Sequence, residues 1–303
     1  MMLYNWPFCH HENATLYRSG QVLRDGRLRD IFECGECQAL YPRPRMDENE
    51  IEGFHSKLYI NKKYSLGDLA IIVRQKTLLF RKLLSPKGSD LNIMALIRNN
   101  MEPKGNALDI GAFTGRFVFI LKFLGFNAYG LEKDKGAAMF AREKGLDVFF
   151  GSFPKNISAD LSQVKFSLIT VMETIYYFSD LKKSLTKINE MLLPGGFILV
   201  KYHQGKSKYY KGDKNSYFKR YGDNVQGIPT LTSVKYWLQK TGFEVHYYNI
   251  VGTSPRSFLL DNINVPSFLK KILNNIGNLC SKIQDSLNTE NADQLIVLAR
   301  KVR

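Results

Sequence analysis

Long apolar runs, acidic residues and cysteines are all scarce in this chain. No apolar stretch approaches the roughly 18 residues needed to span a bilayer, and no early run suits the hydrophobic region of a signal peptide. A cytoplasmic location is the resulting expectation. Asp and Glu number 28 against 43 Lys and Arg, giving a formal net charge of +15 and a pI near 9.5. That shortage of negative charge favours anionic partners, whether phosphate-bearing small molecules, nucleic acid or a membrane surface, without choosing among them. The four cysteines are Cys9, Cys34, Cys37 and Cys280. In a cytosolic chain of 303 residues, a Cys-x-x-Cys pair points to metal or redox chemistry before it points to disulfides. With 44% hydrophobic residues, the chain can bury one substantial core and carry a small accessory module.

That module is expected over 1–48. Cys34-Gly35-Glu36-Cys37 is a tight knuckle, and Cys9-His10-His11 lies upstream. Two short ligand pairs flanking a hairpin-length insert form the pattern of a zinc ribbon. Leu16-Tyr17-Arg18 and Ile31-Phe32-Glu33 read as the hairpin strands, joined around Asp25-Gly26. Cys9, Cys34 and Cys37 are candidate zinc ligands, with His11 as the fourth and His10 behind it. Leu40-Tyr41-Pro42-Arg43-Pro44-Arg45 is an extended exit, because proline pushes its predecessor out of helical geometry. Residues 49–104 read as a helical lid or linker, with an apolar stripe from Leu69 to Leu83 and a second helix over about Leu91 to Asn100. Tyr59 and Tyr64 could cover a ligand or simply pack.

From residue 105 onward, short apolar runs alternate with helical patterns, which implies a mostly parallel sheet covered on both faces. Strands are expected at Asn127–Leu131, Val148–Phe150, Phe166–Met172, Phe197–Lys201, Phe243–Ile250 and Gln294–Arg300. The first strand ends in Ala107-Leu108-Asp109-Ile110-Gly111-Ala112-Phe113-Thr114-Gly115 and runs into a helix, the arrangement that receives a nucleotide-type ligand in open α/β sheets. Glu132, at the end of the second strand and 21 residues after Gly111, is placed to take ribose hydroxyls. A dinucleotide loop would want glycine where Phe113 stands. The acid in this turn suits a ligand with a zwitterionic amino-acid tail better than a diphosphate.

Leu108-Asp109-Ile110-Gly111-x-x-x-Gly115, Tyr129-Gly130-Leu131-Glu132, Ser167-Leu168-Ile169-Thr170, Leu192-Leu193-Pro194-Gly195-Gly196 and Thr241-Gly242-Phe243-Glu244-Val245 together resemble a class I S-adenosylmethionine-dependent methyltransferase. With the N-terminal knuckle, they resemble a bacterial subset that includes sugar and small-molecule methyltransferases. The resemblance implies a Rossmann-like, seven-stranded α/β sheet over 105–303, with inserts at 204–228 and 252–290, and S-adenosyl-L-methionine as the cofactor. It implies cofactor contacts from Asp109, Gly111, Ala112, Phe113, Thr114, Gly115, Glu132 and Lys133, from Ser152 and Phe153 near the adenine, and from Glu173 at the methionine end.

Methyl transfer from a sulfonium needs a general base only if the acceptor must lose a proton. Many relatives read Glu-His after the fourth strand, where this chain has Tyr176-Tyr177. His203 is therefore the candidate base and Tyr177 a candidate for orienting a hydroxyl. The segment from Lys206 to Tyr221 mixes basic and aromatic residues beside the expected substrate mouth. An apolar helical stripe from Phe268 to Leu287 suits core packing, a homodimer interface or membrane-surface contact through 266–287. The expected substrate is an anionic small molecule, a nucleotide-linked sugar or glycan precursor. RNA, a membrane-surface lipid and a non-catalytic scaffold are the alternatives, with nucleic acid the weaker candidate partner.

Overall fold

A computed structural model describes residues 13–22, 27–44, 90–206, 227–250 and 294–302. Cys9, His10, His11, Tyr59, Tyr64, Cys280, the Leu69–Leu83 stripe, most of the basic-aromatic segment and the whole 266–287 stripe lie outside these residues.

Three antiparallel strands come first, β1 (Ala14–Val22), β2 (Leu28–Cys34) and β3 (Leu40–Arg43). The expected hairpin segments fall within β1 and β2, while the exit segment pairs back onto β2 as a third strand, with Ile31 opposite Pro42. The Cys-x-x-Cys turn joins β2 to β3. It is closed by the Gln38 N–H donating to the Cys34 carbonyl at 3.0 Å and the Cys34 N–H donating to the Ala39 carbonyl at 2.9 Å.

This small sheet does not stand alone. Ile31, Cys34, Cys37, Leu40 and Tyr41 share one buried apolar cluster with Ile198, Val200, Tyr202, Val234 and Trp237 of the larger domain. Leu40 and Ile228 exchange backbone hydrogen bonds of 3.0 and 2.7 Å. The Thr230 hydroxyl donates to the Gln38 carbonyl at 3.2 Å, and the Tyr236 hydroxyl donates to the Glu36 carboxylate at 2.6 Å.

The larger domain begins with α1 (Asp90–Asn100) and β4 (Asn106–Ile110), followed by α2 (Arg116–Leu124), β5 (Asn127–Glu132), α3 (Lys135–Glu143), β6 (Asp147–Phe150) and the single turn α4 (Ala159–Ser162). It continues through β7 (Phe166–Met172), α5 (Leu181–Met191), β8 (Leu192–His203), α6 (Leu231–Lys240), β9 (Phe243–Ile250) and β10 (Gln294–Lys301). Helix starts follow local chemistry: the side chains of Asp134, Asp180 and Thr230 accept backbone N–H groups at the beginnings of α3, α5 and α6.

The seven strands form one sheet in the order β6-β5-β4-β7-β8-β10-β9. β4 to β8 pair in parallel, and β10 runs antiparallel between β8 and β9. Side chains alternate across β8 by the two-residue period of a strand. Ile198, Val200 and Tyr202 point to the cluster that holds the N-terminal sheet, while Phe197 and Leu199 point to the cluster built with α1 and α2. One difference from the sequence reading matters for function. β8 is longer than Phe197–Lys201, because pairing with β10 extends it until His203 is its last residue, opposite Gln294. Chain order reverses on either side of β4, so the loops after β4 and β7 diverge and leave a crevice at the carboxyl ends of the strands.

Candidate functional site

The crevice is built first from the loop after β4. Gly111 has φ of 78° and Gly115 has φ of 79°, conformations that favour glycine. A side chain at Gly111 would run into Thr174 at 2.2 Å, and one at Gly115 into Leu146 at 2.6 Å. Between them Ala112 and Thr114 are buried, and Phe113 is half-buried at a φ of 48°. Phe113 thus occupies, with a bulky side chain, a left-handed backbone conformation that favours glycine. The loop is held against β5: the N–H groups of Gly111 and Ala112 donate to the Leu131 carbonyl at 2.8 and 3.2 Å.

Two carboxylates face this loop. Glu132, the last residue of β5, accepts from the Phe113 N–H at 2.7 Å through one oxygen and from the Asp134 N–H at 2.8 Å through the other. Its position is set by backbone donors on both sides. Burial still pushes its pKa above the ordinary carboxylate value, against the pull of those two hydrogen bonds. Asp109, on β4, is 2% exposed. Burial raises its pKa to about 7, the hydrogen bond from the Thr170 hydroxyl at 2.7 Å opposes that rise, and the charge of Glu132 adds to it. The Thr170 oxygen also lies 3.4 Å from the Leu108 carbonyl. A protonated Asp109 can therefore donate to Thr170, whose own proton then turns to Leu108, and both charge states of the carboxyl are accommodated.

Lys133 is exposed beside Glu132. Ser152, after β6, forms a small antiparallel bridge with Asn156, and Phe153 packs its ring against buried Phe178 at a centroid distance of 5.7 Å.

A second constellation lies at the ends of β7, β8 and β10. Glu173 follows β7 with φ of 56°, its N–H donating to the Lys201 carbonyl at 2.8 Å. Its carboxylate receives the Tyr176 hydroxyl on one oxygen and the Gln294 side-chain amide at 3.1 Å on the other. Lys201 Nζ stands 3.8 Å from Oε1, and His203 Nε2 stands 3.7 Å from Oε2. Gln294 Nε2 also lies 2.7 Å from His203 Nε2, and the His203 backbone N–H donates to the Tyr176 hydroxyl at 3.4 Å. Of the candidates read from sequence, Glu173 and His203 come together here. Tyr177 instead packs edge-on against Tyr176 at 5.4 Å and against the apolar core. Tyr176, Lys201 and Gln294 were not singled out. Only the ends of the expected strands could have pointed to them, since their chemistry depends on β7, β8 and β10 being neighbours.

The methyltransferase-domain family matches residues 84–248, more than half of the chain and the whole of this crevice up to β8. The chain belongs to the methyltransferase-domain family. With the glycine-bearing loop and the β5 acid in place, it is an S-adenosylmethionine-dependent methyltransferase. Among solved structures, an S-adenosylmethionine-dependent methyltransferase from Archaeoglobus fulgidus is 15% identical and aligns with a TM-score of 0.50, over 73% of this chain and 100% of that chain. Coclaurine N-methyltransferase, bound to N-methylheliamine and S-adenosylhomocysteine, is 14% identical with a TM-score of 0.48, over 70% of this chain and 72% of its own. A possible histamine N-methyltransferase from Thermotoga maritima is 16% identical with a TM-score of 0.45, over 77% of this chain and 96% of its own. At these identities the likeness is one of fold. No curated protein matches the chain.

The site suits this methyltransferase's cofactor by the chemistry of its groups. The only ionisable side chain between Asp109 and Gly115 is the Asp109 carboxyl, which can accept from an ammonium and gives a diphosphate no cation to pair with. Glu132 keeps lone pairs on two oxygens already oriented by backbone donors, as a vicinal diol requires. Among the described residues, no group of three or more His, Cys, Asp or Glu is placed to hold a metal, and no helix is long and apolar enough to cross a membrane. Cys34 and Cys37 are buried side by side in the knuckle, with no disulfide.

Proposed function

We propose that this methyltransferase methylates a hydroxyl of an anionic small molecule, a nucleotide-linked sugar or glycan precursor, with His203 as general base. The observation that carries the reading is the juxtaposition of His203 Nε2 and Glu173 Oε2 at 3.7 Å, at the strand ends beside the cofactor crevice. A hydroxyl loses its proton as the carbon–oxygen bond forms, so a base within reach lowers the barrier. Once His203 takes that proton, Glu173 offsets the imidazolium charge. Bound S-adenosyl-L-methionine supplies an electrophilic methyl group on its sulfonium. Glu132 would hold its ribose and Asp109 its amino-acid end, while Phe153 and Ser152 border the adenine.

Lys201 puts a cation with a 19% exposed side chain at the same strand ends, and the chain's +15 charge favours an acceptor bearing phosphate. The test is S-adenosylhomocysteine production against a panel of nucleotide sugars, polyprenyl-linked lipids and RNA. Turnover confined to nucleotide sugars supports the proposal. Turnover only with lipid or RNA overturns the acceptor class, and no turnover with any of them while cofactor binds favours a scaffold.

The N-terminal knuckle would hold zinc through Cys34 and Cys37, with Cys9 and His11 completing the set. The fit rests on two buried thiols across a closed turn and on Gln38, just after the second cysteine, at a φ of 60° that lets the chain reverse tightly. Metal analysis of purified protein should find about one equivalent of zinc, the usual content of one four-ligand site. Less than a tenth of that would remove the assignment.

A further inference from the structure

We infer that Gln294 is a positioning residue that sets the tautomer of His203, holding the ring's basic lone pair on Nε2. The inference deepens the reading of His203 as the base and rests on it for its catalytic meaning, though its structural half stands independently. Gln294 opens β10, the antiparallel strand, and sits directly opposite His203 in the β8–β10 register. Its side-chain nitrogen lies between two groups, 3.1 Å from Glu173 Oε1 and 2.7 Å from His203 Nε2.

The carboxylate decides which way the amide points. With the amide turned over, its oxygen would face a carboxylate oxygen at about the same separation, acceptor against acceptor. The amide therefore presents its nitrogen, whose two hydrogens serve the two neighbours. A nitrogen that receives an N–H has no proton of its own, so the neutral His203 ring carries its proton on Nδ1 and its lone pair on Nε2.

Without Gln294 the balance would reverse. Nε2 lies 3.7 Å from Glu173 Oε2, and a ring with its proton on Nε2 would turn that proton towards the carboxylate. This is also the tautomer that imidazole side chains prefer in water. Gln294 thus keeps Glu173 from taking the position that catalysis needs open. The carboxylate is also held by the Tyr176 hydroxyl on Oε2 and by Lys201 Nζ near Oε1, and the Tyr176 oxygen takes the His203 backbone N–H.

The catalytic sequence then balances. The acceptor hydroxyl replaces the Gln294 amide at Nε2 and its oxygen takes the methyl group. Its proton moves to Nε2, and the carbon–sulfur bond that breaks would leave its electron pair on a neutral thioether. The imidazolium so formed can no longer accept from Gln294 and faces Glu173 Oε2, while Gln294 stays on Oε1.

The test needs no acceptor. In full-length protein labelled with 15N-histidine, the tautomer of each neutral ring is read from its two nitrogen shifts. His203 is assigned among the five histidines by the signal lost in His203→Gln. The expected result at pH 8 is a His203 ring with protonated Nδ1 and bare Nε2, reverting in Gln294→Leu to protonated Nε2. A wild-type ring already protonated on Nε2 overturns the proposal, as does an unchanged tautomer in Gln294→Leu. Should Gln294→Leu not fold, judged by lost S-adenosylhomocysteine binding, the wild-type spectrum and the Gln294→Met variant decide in the same way. If the tautomer switches as expected but His203→Ala retains turnover, Gln294 still sets the ring and the base assignment alone fails.

Discussion

The two ends of the crevice are built by opposite means. At the end proposed for the cofactor, the carboxylate of Glu132 is held by backbone, the N–H groups of Phe113 and Asp134, within a loop stitched to Leu131. At the end proposed for the acceptor, side chains hold side chains: Tyr176, Lys201, His203 and Gln294 converge on Glu173 from the turn after β7, from β8 and from β10. Backbone donors are indifferent to sequence, so one loop geometry can serve every acceptor. Side-chain clusters change with single substitutions, which suits the part of the enzyme that must tell acceptors apart. The comparison predicts that the two ends are separable: damage to one should leave the other's readout intact.

The largest separation is expected for His203→Ala. With the acceptor found in the panel assay, turnover should fall by about 10²–10⁴-fold, the usual range for a lost general base. S-adenosylhomocysteine affinity by calorimetry should stay within about threefold, since His203 belongs to the other end. Comparable loss of both would mean that the ends are one unit. Glu132→Ala is the converse experiment. Losing charge-assisted bonds to two hydroxyls, at about 1.5–3 kcal/mol each before compensation, should weaken S-adenosylhomocysteine by about 10²–10³-fold. The tautomer of His203 should not change.

The same contrast explains what the sequence discloses. The cofactor end is written in nearly contiguous residues: Asp109 to Gly115 is one loop, and Glu132 follows at the end of the next strand, so spacing alone brought them together. The acceptor end depends on tertiary register. Gln294 reaches His203 across 91 residues because β10 enters the sheet antiparallel to β8, and no local pattern at Gln294 announces that. Glu173 and His203 were legible as residues following strands. Lys201 read only as the last residue of a strand, and Tyr176 as half of an aromatic pair. The N-terminal hairpin was legible from its turn and its alternating residues. Its docking through Leu40 and Ile228 was not, because Ile228 offers only an apolar residue between breaks in pattern.

Smaller effects test how the cofactor end tolerates a buried acid. Asp109 holds its proton up to about pH 7 when folded, against an ordinary value of 3.8. Below about pH 4 both folded and unfolded chains are protonated there. As pH rises towards 7 the unfolded chain releases this proton and the folded chain keeps it, so the Asp109 contribution to stability declines across that window and levels off above it. Glu132, also shifted upward, acts in the same direction. Asp109→Asn removes the Asp109 part. It should flatten the decline and leave the variant more stable than wild type at pH 8, by about 1–4 kcal/mol in urea titrations. Weakened S-adenosylhomocysteine binding should accompany that gain, the two moving in opposite directions.

The finest distinction concerns Thr170, which reaches Asp109 across two strands with a single hydroxyl. This is a side-chain hydrogen bond to a carboxylate at the end where Glu132 is held by backbone donors. Thr170→Val keeps the shape and removes the donor, so the folded pKa of Asp109 must rise, since that hydrogen bond is what lowers it. The declining limb of stability should therefore extend to higher pH than in wild type, with a net cost at pH 8 of about 1.5–3 kcal/mol, typical of one lost hydrogen bond to a charged partner. In the Thr170→Val, Asp109→Asn double variant the extension should vanish, because the titrating group that Thr170 contacts is gone. An upper limit that shifts in the double variant as well would place the buried proton on Glu132 instead, and the backbone donors around that residue would then be the weaker support.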